Sequence, residues 1–500
     1  QAILEANSPI AKTLRPARDE SVNFDTTENL FIEGDNLEAL KLLQESYLGQ
    51  VKMIYIDPPY NTGSDFIYKD DFSEDTAGFL ERSEQLDEEG NRLVTNFETN
   101  GRFHSDWLTM MYSRLKLART LLKDDGVIFI SIDDNEQANL KKLCDDIFGP
   151  NNFIADAIWR SKDNSNNDAK RFSTDHNHIL VYSKQISWQP QKLQDPSKRT
   201  HFKNPDHDPK GPYFDGNPLN SPNYRENLIY DLIAPNGNTI TPPKNGWRWS
   251  ESLMKQKIAS GEISFNENQT NIRRRTYLSE MDGLPPSTLF IDLEQTGHNR
   301  QAKYELIKLF PEDVFQTPKP TKLIKHILRL GNVTSNDIFL DFFAGTSTSA
   351  DALIQLNAED GLDRKFIMVQ LDEESDQKSD AYKAGFNNIA EISKERIRRA
   401  GKKIVEDNQD KEGIEDLDIG FRVLKIDSTN MKDVYYTPDN YEQAALDNLE
   451  SHIKEDRTGE DLLFQVMLDW GVPLSLPIEV KDIQGSSVYY VGIDSLVACF

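Results

Sequence analysis

An α/β fold interrupted by an insertion is predicted by three features of the 500-residue chain. Helix-patterned and strand-patterned segments alternate before residue 150 and again after residue 320. An acid, two prolines and an aromatic follow an apolar, strand-sized run at 57–60. Residues 151–299 break the alternation with a different composition. Alternating helices and strands pack as a sheet covered by helices, and both flanks therefore read as parts of one sheet. The length is about three times that of a typical domain, which predicts two or three cores.

Each element has a local reason. Asp35-Asn36 caps a helix whose Leu37, Leu40 and Leu43 share a face, and the strand Val51 to Ile56 follows. Trp107, Met111, Leu115 and Leu122 mark a helix ending at Asp125-Gly126. Beyond it come the strand Val127 to Ile132 and a helix through Leu140, Leu143 and Ile147. After the insertion, Leu323, Ile324, Ile327 and Leu328 give a helix, Ile338 to Phe343 a strand, Ala350 to Leu356 a helix and Phe366 to Leu371 a strand. The insertion is rich in Pro, Asn, Gly and aromatics (Lys210-Gly211-Pro212-Tyr213-Phe214, Asn245-Gly246-Trp247-Arg248-Trp249), which predicts short strands and long turns. From about 401 the chain turns acidic and ends in strand-like runs, the last being Leu496 to Phe500. It has no turn or polar tail after it, which suggests a longer native chain.

Charge narrows the function. Lys+Arg number 57 against 83 Asp+Glu, a net −26, and the mean hydropathy is −0.63. That balance excludes a histone-like binder, and no run approaches the roughly 20 apolar residues that span a bilayer, so no membrane is expected. Residues 151–300 are near neutral, with 19 basic and 17 acidic side chains and five of the eight His. An anion would be met there. Cys144 and Cys499 are too few for a disulfide framework or a cysteine-rich zinc site, and a reducing cytoplasm is the expected setting. His176 and His178 share a strand face with no third Cys or His at ligand spacing, so they are read as surface or DNA-facing, and no metal is expected. Arg273-Arg274-Arg275 reads equally as a phosphate contact or a solvated basic turn.

Asp57-Pro58-Pro59-Tyr60 follows its strand where α/β sheets bind ligands. The prolines fix the backbone and remove two donors, so carbonyls and the Asp57 carboxylate remain as acceptors for an amine. Tyr60 adds a flat face for a heterocycle. The second cluster, Asp341 to Ser349, runs from strand to helix through Phe343, Ala344, Gly345, Thr346 and Ser347. Small residues admit a ligand to the backbone, and the helix start offers N–H donors. Asp372-Glu373 follows the next strand, where an acid can hold ribose hydroxyls, and Lys319-Pro320 precedes the helix that leads into the 341 region.

These motifs, with the long insertion between them, resemble the β-class amino-methyltransferases of DNA. Asn29 to Asn36, Tyr55 to Gly63, Val127 to Asp134 and Gln355 to Leu371 are similar to the modification (Mod) subunits of type III restriction-modification systems, and Asp461 to Gln465 extends the likeness through the tail. The resemblance implies a Rossmann-like S-adenosylmethionine-dependent methyltransferase sheet in two parts, 21–150 and 300–400, after an N-terminal arm, 1–20. It further implies a target-recognition domain at 151–299 and a C-terminal α+β domain at 401–500. Asp57, Pro58, Pro59 and Tyr60 would be catalytic. Asp35, Asn36, Lys319, Pro320 and Phe343 to Ser347 would bind S-adenosylmethionine. Gln370 stands where an acid for the ribose is usual, with Asp372 as substitute, and Ser347 replaces a glycine, which fits if its backbone dihedral is ordinary. The implied reaction is N6 methylation of adenine in double-stranded DNA by base flipping, by a homodimer working with a restriction (Res) helicase-nuclease subunit. Two alternatives are a non-catalytic DNA-recognition subunit and a cytosine-N4 methyltransferase.

Overall fold

The computed structural model describes residues 2–63, 66–68, 93–95, 102–165, 169–193, 199–205, 207–216, 219–432 and 452–500. They form two units, one of residues 1–191 with 287–500 and one of residues 192–286.

The larger unit is built on a ten-stranded sheet. In chain order its strands are β1 (Lys12–Pro16), β2 (Leu30–Glu33), β3 (Val51–Ile56), β4 (Leu122–Ile132), β5 (Phe153–Arg160), β6 (His176–Ser183), β7 (Leu289–Phe290), β8 (Ile338–Asp341), β9 (Lys365–Gln370) and β10 (Arg422–Ser428). In space they run β1-β10-β2-β9-β8-β3-β4-β6-β5-β7. From β10 to β4 all pairings are parallel. β3 is buried at every position and β9 at all but its first, as expected of strands covered on both faces. The helices are α1 (Asn36–Tyr47), α2 (Phe103–Leu121), α3 (Gln137–Phe148), α4 (Thr321–Leu330), α5 (Thr348–Asp360), α6 (Ile389–Asp407) and α7 (Gly459–Asp469). Leu40, Trp107, Leu115, Ile130, Leu340 and Phe464 share one core with residues from β2, β3 and β9. No helix among the described residues is long and apolar enough to cross a membrane.

The sheet reverses its winding between β8 and β3. The chain leaves β3 for β4 on one side and β8 for β9 on the other, and the two strands pair in parallel through Leu340 and Ile54. Such a switch point opens a crevice at the carboxyl ends of the strands. Asp57 and Phe342 are the first residues past those two ends.

Three expected boundaries change. The insertion begins at 192 rather than 151 and ends at 286 rather than 299. β5 and β6 pair antiparallel with each other, and β6 pairs with β4, so Phe153–Arg160 and His176–Ser183 extend the main sheet. The segment 401–500 is not a separate domain: β10 lies between β1 and β2, and Leu463, Phe464 and Met467 of α7 enter the main core. The N-terminal arm holds a short helix, Ala2–Asn7, followed by the edge strand β1. Strand β4 also starts at Leu122, with Gly126 inside it, because Leu122 pairs with Val51 across a register shift.

The 192–286 unit has its own core of Leu232, Trp247, Met254, Ile263 and Ile272. Strands Tyr213–Asp215, Ile263–Phe265 and Ile272–Tyr277 form a small antiparallel sheet. Arg248, Lys257 and Arg274 lie 5.1–5.8 Å from the Trp249 ring centre. Of the three consecutive arginines, Arg274 pairs with Glu262 and Arg275 with Asp208, while Arg273 is exposed.

Candidate active site

A cleft of about 670 Å³ opens at the switch point. Asp57, Pro58, Pro59 and Tyr60 line it from the end of β3, and Phe343, Ala344, Gly345 and Thr346 line it from the end of β8. Lys319 and Gln370 line it as well. The two motifs, nearly 300 residues apart in the chain, thus share one cavity.

The 57–60 loop is pinned from behind. The Trp107 indole donates to the Pro59 carbonyl at 2.8 Å. Asn61, in a left-handed conformation that asparagine tolerates, donates to Glu136 at 2.6 Å. The Pro59 carbonyl is thus engaged, while Asp57 and Pro58 line the cleft. One Asp57 oxygen accepts from the Tyr60 hydroxyl at 2.9 Å, and the other pairs with the Lys319 ammonium, which also lies 5.2 Å from the Tyr60 ring centre. Burial, and then the Asp57 charge, pushes the Tyr60 phenol well above its ordinary pKa, so it stays a donor.

Around the 343–347 loop the two departures from the family pattern have different outcomes. Ser347 is left-handed, with φ 54° and ψ 40°, so the condition of an ordinary dihedral, on which its fit rested, is not met. Its side chain is fully buried, lies outside the cleft and meets the Ser393 hydroxyl at 2.5 Å. The Gln370 amide oxygen accepts from the Gly345 N–H at 2.7 Å, so this side chain closes the loop.

The remaining expected residues fall behind or beside the cleft. Asp35 caps α1 through the N–H groups of Leu37 and Glu38. The buried Asn36 donates to the Phe342 carbonyl at 2.9 Å and accepts from Arg114 at 2.5 Å. Both brace the wall without lining it. Pro320 starts α4. Asp372 is exposed and off the cleft, and its neighbour Glu373 lines it instead, with its carboxyl pKa raised by burial.

Several other lining residues were given no role by sequence reasoning, Asp341 among them although it opens the second cluster. Asp341 is buried, accepts from the Phe343 N–H at 3.1 Å and the Ser349 hydroxyl at 2.6 Å, and has its carboxyl pushed up to about 7, chiefly by desolvation. Asp133 lies at the end of β4, and Phe315, Ile324 and Ile389 are apolar wall. Strand-end position was the available signal for the two acids. Nothing marked Arg396, a buried side chain of α6 that pairs with Asp351 and donates to the Thr346 and Thr348 hydroxyls under the loop.

A family model described as DNA methylase matches residues 51–383. The Mod subunit of the type III restriction-modification enzyme StyLTI from Salmonella typhimurium is 38% identical over 76% of this chain and 58% of its own length. The EcoPI Mod subunit of Escherichia phage P1 and the EcoP15I Mod subunit of Escherichia coli are 34% and 33% identical, each over 83% of this chain and 70% of its own length. The chain thus spans between about three fifths and seven tenths of these relatives. With one family matched across both halves of the cleft and similarity to Mod subunits over 83% of its length, the chain belongs to the DNA methylase family, among the modification subunits of type III restriction-modification enzymes.

Proposed function

We propose that this chain is a site-specific DNA methyltransferase that transfers a methyl group from S-adenosylmethionine to the exocyclic N6 of adenine in double-stranded DNA. The observation that carries this reading is the shared cleft: an acceptor cluster at the exit of β3 beside a small-residue loop at the exit of β8.

The residues present fit the cofactor. The start of α5, with the Thr346 and Thr348 hydroxyls, suits a carboxylate. Glu373 suits ribose hydroxyls, and Phe343, Ile324 and Ile389 suit an apolar ring. When bound, S-adenosylmethionine supplies an activated sulfonium methyl. Adenine's amine is a poor nucleophile because its lone pair is drawn into the ring. Asp57 and the Pro58 carbonyl accept its two N–H bonds and so localise and aim that pair, as Asp57 exchanges its contact with Tyr60 or Lys319 for the amine. Positive charge growing on the nitrogen meets a carboxylate already held in place by Tyr60 and Lys319. Because this amine is paired inside a duplex, the base must leave the stack, and the Tyr60 ring offers the surface that offsets unstacking.

The 192–286 unit is the proposed target-recognition domain, supported by its aromatic and arginine content. The Mod likeness also supports association with a Res subunit and a homodimer, which co-purification and sedimentation test. The decisive experiment is transfer of labelled methyl to genomic DNA by wild type and Asp57→Ala, followed by nucleoside analysis. N6-methyladenine made by wild type alone is the expected product. N4-methylcytosine, or no product on any DNA, overturns the proposal in favour of one of the two alternatives.

A further inference from the structure

Asp134, His176 and His178 present ligand atoms within 4.8 Å of one another. The spacing of the histidines alone offered no third ligand. It arrives across the sheet, because His178 is paired with Ile132 of β4, two residues before Asp134. We propose that these three side chains bind a divalent transition ion of the zinc class beside the cleft.

The chemistry of the cluster supports it in three ways. His176 and His178 lie on one face of β6 with ring centres 5.2 Å apart, so both imidazoles can reach one ion. The His178 Nδ1 sits 3.0 Å from an Asp156 carboxylate oxygen, and Asp156 is itself held by Gln137 at 2.8 Å. A carboxylate on the far ring nitrogen fixes the tautomer and aims the other nitrogen at the ion, as at many metal–histidine sites. That second nitrogen, Nε2, is 3.1 Å from Asp134. Finally, neither Asp134 nor Asp156 pairs with a lysine or arginine among the described residues; both meet His178, so a cation bound by the imidazoles would face carboxylates that no lysine or arginine neutralises. Two imidazoles select zinc, cobalt or nickel over magnesium. Three protein ligands leave coordination positions open, and His176 also lines the cleft.

The test uses the full chain and Co2+ as a visible probe, displaced by Zn2+. Wild type is expected to bind one Co2+ per chain with a visible absorption band that Zn2+ removes. His176→Gln and His178→Gln each weaken binding at least about tenfold. Asp156→Asn, which leaves all three ligands in place, weakens it by about ten- to hundredfold. His104→Gln, at the separate imidazole–carboxylate pair with Glu136, leaves it unchanged. Far-UV circular dichroism checks that each variant folds, and if His178→Gln does not, the exposed Asp134→Asn replaces it. No band at millimolar Co2+, or a band that His176→Gln and Asp134→Asn leave intact, overturns the site.

Discussion

Asp57 and Asp341 are carboxylates one strand apart in the same cleft, and their surroundings divide their tasks. Asp57 is partly exposed and held by Tyr60 and Lys319, a placement suited to meeting an amine. Asp57→Ala is expected to lower kcat by about a hundred- to a thousandfold, the usual cost of removing one aimed electrostatic partner. Cofactor affinity should stay within a few-fold, and equilibrium binding beside single-turnover rates checks the split. Asp341 faces a drier environment. A carboxyl whose pKa rises from 3.8 unfolded to about 7 folded holds its proton more tightly in the folded state. Its contribution to stability is therefore intact below about pH 4 and declines as pH climbs to about 7, by at most roughly 4 kcal/mol. Asp341→Asn should melt near wild type at pH 4 and above it at pH 8. Equal destabilisation at both pH values would show that the hydrogen bonds to Phe343 and Ser349 matter more than desolvation.

The loop between β8 and α5 shows how an element can depart from its family pattern and keep its shape. Gly345 and Ser347 both take positive φ, 55° and 54°. A serine there costs roughly 1 kcal/mol of backbone strain, which the buried bond to Ser393 offsets. Ser347→Gly is thus expected within about 1 kcal/mol of wild type. Ser347→Val, β-branched in a left-handed position and unable to bond Ser393, should cost about 2–3 kcal/mol and weaken cofactor binding. Denaturant unfolding and cofactor titration measure both. Such elements were only half legible in the sequence. The strands at 51–56, 338–341 and 365–370 and the helices beside them followed from apolar period, which local chemistry dictates, and the pairing of Asp57 with the 343 loop from the family resemblance. The Ser347 dihedral, the role of Gln370 and the braces Arg114 and Arg396 did not, because each depends on a partner dozens of residues away: Gln370 on Gly345, Arg114 on Asn36 and Arg396 on Asp351. Arg114 is wholly buried. Arg114→Ala should cost about 3–5 kcal/mol and loosen the Phe342 end of the loop through Asn36.

At the scale of the whole molecule, composition located the insertion but misjudged its edges. The segments Phe153–Arg160 and His176–Ser183 carry the polar residues of a loop region, yet their apolar positions pair them into the main sheet beside β4. If 192–286 is the target-recognition domain as proposed, sequence choice and catalysis separate at 192 and 286, which makes two domain exchanges informative. Replacing 192–286 with the corresponding unit of a related Mod subunit should change the DNA sequence modified while leaving cofactor affinity within a few-fold, since every cleft-lining residue lies outside that interval. Replacing 151–299 removes β5 and β6, along with Ser161, Lys162 and Asn299 of the cleft wall, and should abolish cofactor binding or folding. Methylation mapping of genomic DNA, paired with cofactor titration, reads both. If the narrow exchange lost cofactor binding while the wide one kept it, the sheet would not be the structural unit that holds the site. A narrow exchange that kept the original sequence preference would instead move recognition out of 192–286 and onto the larger unit, whose net charge is strongly acidic and whose DNA contacts would then have to be local clusters of lysine and arginine.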